Sequence, residues 1–430
     1  MSFNRVTPIL LSVLVVSFWA VITLFQNSFH HVPDGTSGHA VNIGSDVVIR
    51  LNVDTGNFIA YTANLEEYFT GVNPYSNRPA QFLVANLISH ALQPTDAYFN
   101  ALLPRGSTDR QRAILSHGLS PYIALVLLNI LLLIASVVLC LNAFRQLFPR
   151  LAIMGIHGNA LLVLMLAPVY VNNITKVYIF SPHSQMFLIL YASVSFWLLV
   201  RITYHLQFGF SLFVILSFLT LAYQINYLIP AFVLVWAIWE KFTSARSDDF
   251  NGAIYLSLAC LSIPVLFGLL RNLVFGRGNP VDENLRLEKY DSIDFSLRFT
   301  SDFFLNRGSL EGLLEHALFL LSSFLNHISV LSGIVLLVFS TALFFNKRFP
   351  ALPKSILRAF RSSRFKFLTF YGSILIFMNF SFFFLYGVQY SRLMFPASLF
   401  IYFLVLSWYF IIVEKFFLER DYVTIRVAKL

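Results

Sequence analysis

Hydrophobic residues fall in long unbroken blocks along this chain, separated by short polar intervals and by two long ones. The first block, residues 8–26, reads PILLSVLVVSFWAVITLFQ. Comparable blocks recur at about 121–144, 152–171, 185–204, 208–224, 227–241, 251–271, 317–345, 367–386 and 393–413. Most reach the roughly 20 apolar residues that an α-helix needs to cross a bilayer. The pattern predicts an all-α fold: a polytopic transmembrane helical bundle of about ten spans. The pair at 208–241 is short, joined by Gln224-Ile225-Asn226-Tyr227, and need not cross fully.

The two long intervals, 27–118 and 272–316, exceed any simple connection between helices. In the first, HAVNIGSDVVIRLNVD alternates apolar and polar residues around Gly44-Ser45, which predicts a small β-hairpin. After Asp54 the period lengthens. Phe58, Tyr61, Leu65 and Tyr68 recur at helical spacing until NPYSNRP (73–79) interrupts them. AQFLVANLISHAL (80–92) then resumes the helical period over 13 residues. That stretch is too short to span, and predicts an amphipathic helix lying along the membrane interface. The expected organisation is a first transmembrane helix at 1–26, then a large, partly helical extracytoplasmic loop at 27–118 with membrane-parallel helices. A transmembrane core at 119–271, a second extracytoplasmic loop at 272–316 and C-terminal transmembrane helices at 317–430 follow.

Charge converts this list of spans into an orientation. Residues 346–366, NKRFPALPKSILRAFRSSRFK, carry seven Lys/Arg and no acidic residue, and short loops of that kind stay cytoplasmic. The other span ends on the same side carry Arg145 and Arg150, Arg201, Lys241 and Arg246, and Lys415 and Arg420. Both termini are then expected in the cytoplasm. The loop at 272–316 holds Asp282, Glu283, Glu288, Asp291, Asp294 and Asp302, and falls outside. Residues 8–26 are longer than a signal-peptide core and are expected to stay as an uncleaved helix.

Composition agrees. The chain of 430 residues is 57% hydrophobic and only 12% charged, against about 25% charged in soluble domains. Its net charge of +9 sits on the cytoplasmic loops, so no nucleic-acid partner is needed to explain it. Cys140 and Cys260 both lie inside apolar blocks and offer neither a disulfide framework nor a metal site. With nothing pointing to an organelle, a bacterial inner membrane is the default location.

Candidate chemistry concentrates on the extracytoplasmic side. Asp54, on the first loop just above the membrane, suits a general base toward an acceptor hydroxyl or amine. The ordinary reading is that Asp54 caps the helix starting near Gly56, which its position also suits. Arg78, Arg271 and Arg392 all fall at the outer interface, where a guanidinium fork matches the oxygens of a phosphate headgroup. Snorkelling from a helix end is the ordinary alternative for each. His183, in IFSPHSQMF, is a weak candidate for a metal or proton role, and a cap or interface residue otherwise. Tyr223, Gln224, Asn226 and Tyr227 make a polar belt that interfacial anchoring explains.

The order of these parts resembles the polytopic GT-C glycosyltransferases, the class of protein O-mannosyltransferases, aminoarabinose transferases and oligosaccharyltransferases. The likeness rests on Asp54 with Tyr61, Ala63, Gly71 and PYSNRP, on SPHSQMFLILYASVSFWLLVRI and on FVILSFLTLAYQINYLIPAFVLVWAIWEK. YSRLMFPASLFIYFLV, which contains Tyr390 and Arg392, resembles the RY-x-L-P run of the class's late helix. Two departures stand out: the acidic pair of many members is a lone Asp54 here, and His183 stands where members often carry an acid.

The resemblance implies sugar transfer from a polyprenyl-phosphate donor to an acceptor on the extracytoplasmic side. Arg392, with Arg271, Arg78 and Tyr390, would hold the phosphate, and Asp54 would take the acceptor's proton. No cofactor is required by this scheme, and a divalent metal stays open. The expected partners are the lipid-linked sugar and membrane lipid, with a protein partner on the outer loops open as well. Two other readings remain: a non-catalytic membrane subunit of glycosyltransferase-like shape that docks a partner, and a flippase or transporter of lipid-linked sugars. A transporter would place ionisable residues at mid-membrane, where the predicted span centres are nearly free of charge.

Overall fold

The computed structural model describes residues 3–29, 40–43, 47–50, 55–70, 78–96, 119–149, 155–181, 183–203, 209–243, 250–275, 312, 314–327, 357, 360–386 and 394–427. Helix α1 (Phe3–Phe29) opens the chain, at about 40 Å of axial rise. An antiparallel hairpin follows, β1 (Ala40–Ile43) with β2 (Val47–Arg50), its register pairing Ala40 with Arg50 and Ile43 with Val47. The alternation around Gly44-Ser45 is therefore borne out. Three short helices complete the described part of the first loop: α2 (Thr55–Ala63), α3 (Leu65–Thr70) and α4 (Pro79–Leu92).

The apolar blocks become α5 (Ser120–Leu147), α6 (Gly155–Met165), α7 (Ala167–Tyr170), α8 (Asn173–Tyr178), α9 (Met186–Thr203), α10 (Phe210–Ala222), α11 (Leu228–Thr243) and α12 (Asn251–Phe275). A helical stretch at 314–327 follows, then α13 (Ser363–Tyr386) and α14 (Phe395–Val427). Among the described residues, six helices are long and apolar enough to cross a membrane, or seven if one bent pair counts as a span. The chain is an integral membrane protein built as an all-α bundle, its hairpin aside.

The expected count of about ten is not reached among the described residues: the first block counts only as a shorter apolar helix, Pro8–Leu24, and three other blocks break, fall short or are not described in full. The block at 152–171 breaks into Gly158–Met165 and Ala167–Tyr178, inclined at 49°. Pro168 lacks the N–H that would continue the ladder, and Asn172 starts a fresh helix with a capping box, its side chain accepting from Thr175 N at 3.0 Å. The block at 208–224 yields only the 13 residues of α10, about 20 Å of helix. The block at 317–345 is described only as far as 327.

Helix α9 is the centre of the bundle. It packs against α5, α13 and α14, and 83% of its spanning window is buried. Phe196 of α9 lies between Phe144 of α5 (ring centroids 5.0 Å apart) and Phe403 of α14 (4.7 Å). Polar groups that the lipid interior would penalise find partners across helices. Asn379 Nδ2 donates to Tyr191 Oη (2.6 Å), Asn129 Nδ2 to Tyr178 O (2.8 Å), and Tyr402 Oη to Met165 O. At Gly372, a Cβ would lie 2.7 Å from the Leu404 methyls, so α13 and α14 approach closely there.

Candidate functional site

The first loop is seated on the bundle by an aromatic cluster. The Phe82 ring of α4 meets Phe58 and Tyr61 of α2 and Tyr68 of α3, with centroids 5.2, 5.8 and 4.8 Å away. These are the positions the helical period picked out. Asn86 Nδ2 closes the seat from α4 by donating to Thr62 O at 2.7 Å. Asn64 starts α3 by accepting from Glu66 N and Glu67 N, and the two glutamates in that first turn favour the helix dipole. On α4, Leu83 and Leu87 stay exposed, one turn apart, opposite the buried Phe82, Ala85 and Asn86.

Arg78 stands at the entry to α4 and reaches the bundle. Its Nη1 donates to Ser184 Oγ at 2.9 Å, and its guanidinium carbon lies 4.7 Å from the centroid of the Tyr223 ring. Ser184 in turn donates to Gln81 Oε1 at 3.0 Å. Arginine, serine and glutamine therefore form one relay from the loop into the start of α9, with the tyrosine between α10 and α11 as its floor. The backbone of Arg78 also hydrogen-bonds the Tyr68 hydroxyl.

Arg271, at the far end of α12, donates from Nε to Phe69 O at 3.2 Å, where a cation suits the carbonyl end of α3. Tyr68 lies within the field of both arginines. Its burial pushes the phenol well above its ordinary range, more than the Arg78 hydrogen bond and the two positive charges lower it. Tyr68 stays protonated at ordinary pH and serves as a hydrogen-bonding group, not a base.

Of the residues expected to carry chemistry, Arg78 and Arg271 are thus brought to one corner, where both charges act on Tyr68. Asp54, Tyr390 and Arg392 lie outside the described residues. The residue after Asp54, Thr55, begins α2 fully buried, and its hydroxyl shares a 3.4 Å hydrogen bond with Ser181. Ser181 is three residues from Ser184, so α2 starts at the corner where Arg78 ends. His183 is buried there too, stacked on Phe58 (5.3 Å, 24°) and tilted against Tyr178 (5.4 Å). No group of three or more His, Cys, Asp or Glu suited to a metal occurs among the described residues, and aromatic packing accounts for this imidazole's place.

Sequence reasoning did not single out Gln81 and Ser184. The available signal was polarity: each is an uncharged hydrogen-bonding residue at the edge of an apolar block, where a side chain headed into a packed core needs a partner. Tyr223, read as an interfacial anchor, is instead buried beneath a guanidinium. Compared with protein-family models, with curated proteins and with solved structures, the chain matches none.

Proposed function

We propose that this protein is a membrane glycosyltransferase of the GT-C kind, moving a sugar from a polyprenyl-phosphate donor to an acceptor on the extracytoplasmic side of a bacterial inner membrane. In this reading the ten-span topology with both termini in the cytoplasm holds. The observation that carries it is the convergence of Arg78 and Arg271 around Tyr68, at the same end of the bundle where α2 begins one residue after Asp54. Two guanidinium groups beside a wall of aromatic rings suit a phosphate whose isoprenoid tail lies in lipid.

The step is a substitution at the anomeric carbon. The bond from that carbon to the phosphate oxygen breaks, and its electron pair leaves with the lipid phosphate. A bond forms to the acceptor oxygen or nitrogen, whose proton passes to the Asp54 carboxylate. Positive charge from Arg392, supported by Arg271 and Arg78, offsets the charge that develops on the leaving phosphate, and Tyr390 donates to the same group. The test is Asp54→Asn at unchanged protein level. Loss of the surface glycan that the wild-type gene restores to a deletion strain is expected, and normal glycan ends the role of Asp54.

One observation favours a second reading, a non-catalytic subunit of the same shape. Arg78 and Arg271 both make bonds within the protein, to Ser184 and to the Phe69 carbonyl, that hold the first loop in place. In that case Asp54→Asn leaves the glycan intact while Arg78→Gln, by loosening the loop, removes it.

A further inference from the structure

The opposite end of the bundle carries its own arrangement. Helix α13 begins at Ser363, after a bend at Ser362, and the preceding residues Leu357 and Phe360 expose 54% and 47% of their surfaces. Phe360 is not loose: its ring meets Phe365 edge-on at 4.7 Å, and Phe365 lies 5.3 Å from Trp408 of α14. Beside these apolar groups stand Arg361 and Lys366, both exposed. Lys366 and Phe370 are one turn apart on α13 and share a face. The Phe370 ring meets Trp239 of α11 at 5.8 Å, and both, with Phe242 at the end of α11, are exposed.

Among the described residues, two acids stand nearby, and both have partners in the bundle. Glu240 accepts from Tyr371 Oη at 2.7 Å, and Glu414 pairs with Arg364 at 3.6 Å. Arg364 also caps the last turn of α5 by donating to Leu147 O at 3.4 Å, so it serves the bundle. The seam between α11 and α13 therefore shows exposed aromatic rings, with Lys366 one turn before Phe370 and Arg361 exposed just before the bend that starts α13. Arg361 and Lys366 are the fifth and last of the seven Lys/Arg in the acid-free stretch 346–366, which the charge rule assigns to the cytoplasmic leaflet.

We infer that this seam is a binding site for an anionic phospholipid of the cytoplasmic leaflet, its headgroup phosphate met by Arg361 and Lys366 and its upper chains lying along Trp239, Phe242 and Phe370. Leu357 and Phe360 enter the acyl boundary beside it and hold the bend at headgroup depth. Charge complementarity selects the occupant. A zwitterionic lipid fits the aromatic rim equally well but leaves the two cations without a net counter-charge. The site is separate from the Arg78 corner and does not depend on the glycosyltransferase reading.

The test uses the full chain purified in detergent and titrated with phosphatidylglycerol or phosphatidylcholine, with retained lipids counted by native mass spectrometry. Wild type retains phosphatidylglycerol selectively. The pair Arg361→Gln with Lys366→Gln retains it roughly 30-fold less well, with thermal stability in phosphatidylcholine unchanged. The pair Arg361→Lys with Lys366→Arg keeps it. Arg201→Gln removes one positive charge near the same membrane surface on α9 and keeps it as well. Equal retention by wild type and the glutamine pair overturns the site. So does an equal loss in Arg201→Gln, because the effect is then diffuse charge.

Discussion

Helices α9 and α12 make an instructive pair. Both pass as membrane spans on length and hydropathy, yet 83% of the window in α9 is buried by protein and only 22% of that in α12. Helix α9 presents Phe196, Tyr191 and Phe187 to neighbours on several sides. Helix α12 leaves Leu266, Leu269, Leu270 and Leu273 exposed, as lipid would require. In water such a difference would show in the sequence as polarity. In a bilayer both surroundings are apolar, so hydropathy reports the membrane and not the bundle. What separates the two is aromatic interlocking and side-chain hydrogen bonding.

The comparison can be broken by substitution, beginning at the core. Phe196→Ala opens a cavity between Phe144 and Phe403 and should cost about 3–5 kcal/mol, read as a lower unfolding temperature in detergent. At the loop-bearing end, Arg78→Gln removes the guanidinium from both Ser184 and Tyr223, with an expected cost of about 1–3 kcal/mol. Faster amide exchange across 55–92 would register it, and Arg271→Gln, which loses the bond to Phe69 O, should show a smaller rise at α3. Leu266→Ala and Leu273→Ala on α12 should stay within about 0.5 kcal/mol of wild type. A loss as large as that of Phe196→Ala would mean that α12 is covered by protein.

Much of the fold was legible and the site less so. The switch from period two to helical period located the hairpin and α2 to α4, because those elements lie where one face is wet. The limits of α5, α9 and α13 followed from apolar length. The bend at 165–167 was missed, since Pro168 sits inside the apolar block 152–171 and the Asn172 cap falls just past its end. The convergence of Arg78 with Arg271 was expected from their shared side of the membrane. Their partners were not, because Ser184 and Tyr223 lie 106 and 145 positions away from Arg78 and only the tertiary fold brings them close.

The Ser184 hydroxyl has one further consequence, which is directional. A guanidinium offers protons and takes none, so the Ser184 oxygen must face Arg78 with a lone pair and send its only proton onward to Gln81. This orients the carboxamide, oxygen toward the bundle and amino group away, and gives the junction a sense that cannot reverse. A glutamate at 81 would keep the acceptor and add a counter-ion, whereas a lysine there would set two donors against one hydroxyl and pry the loop from its seat.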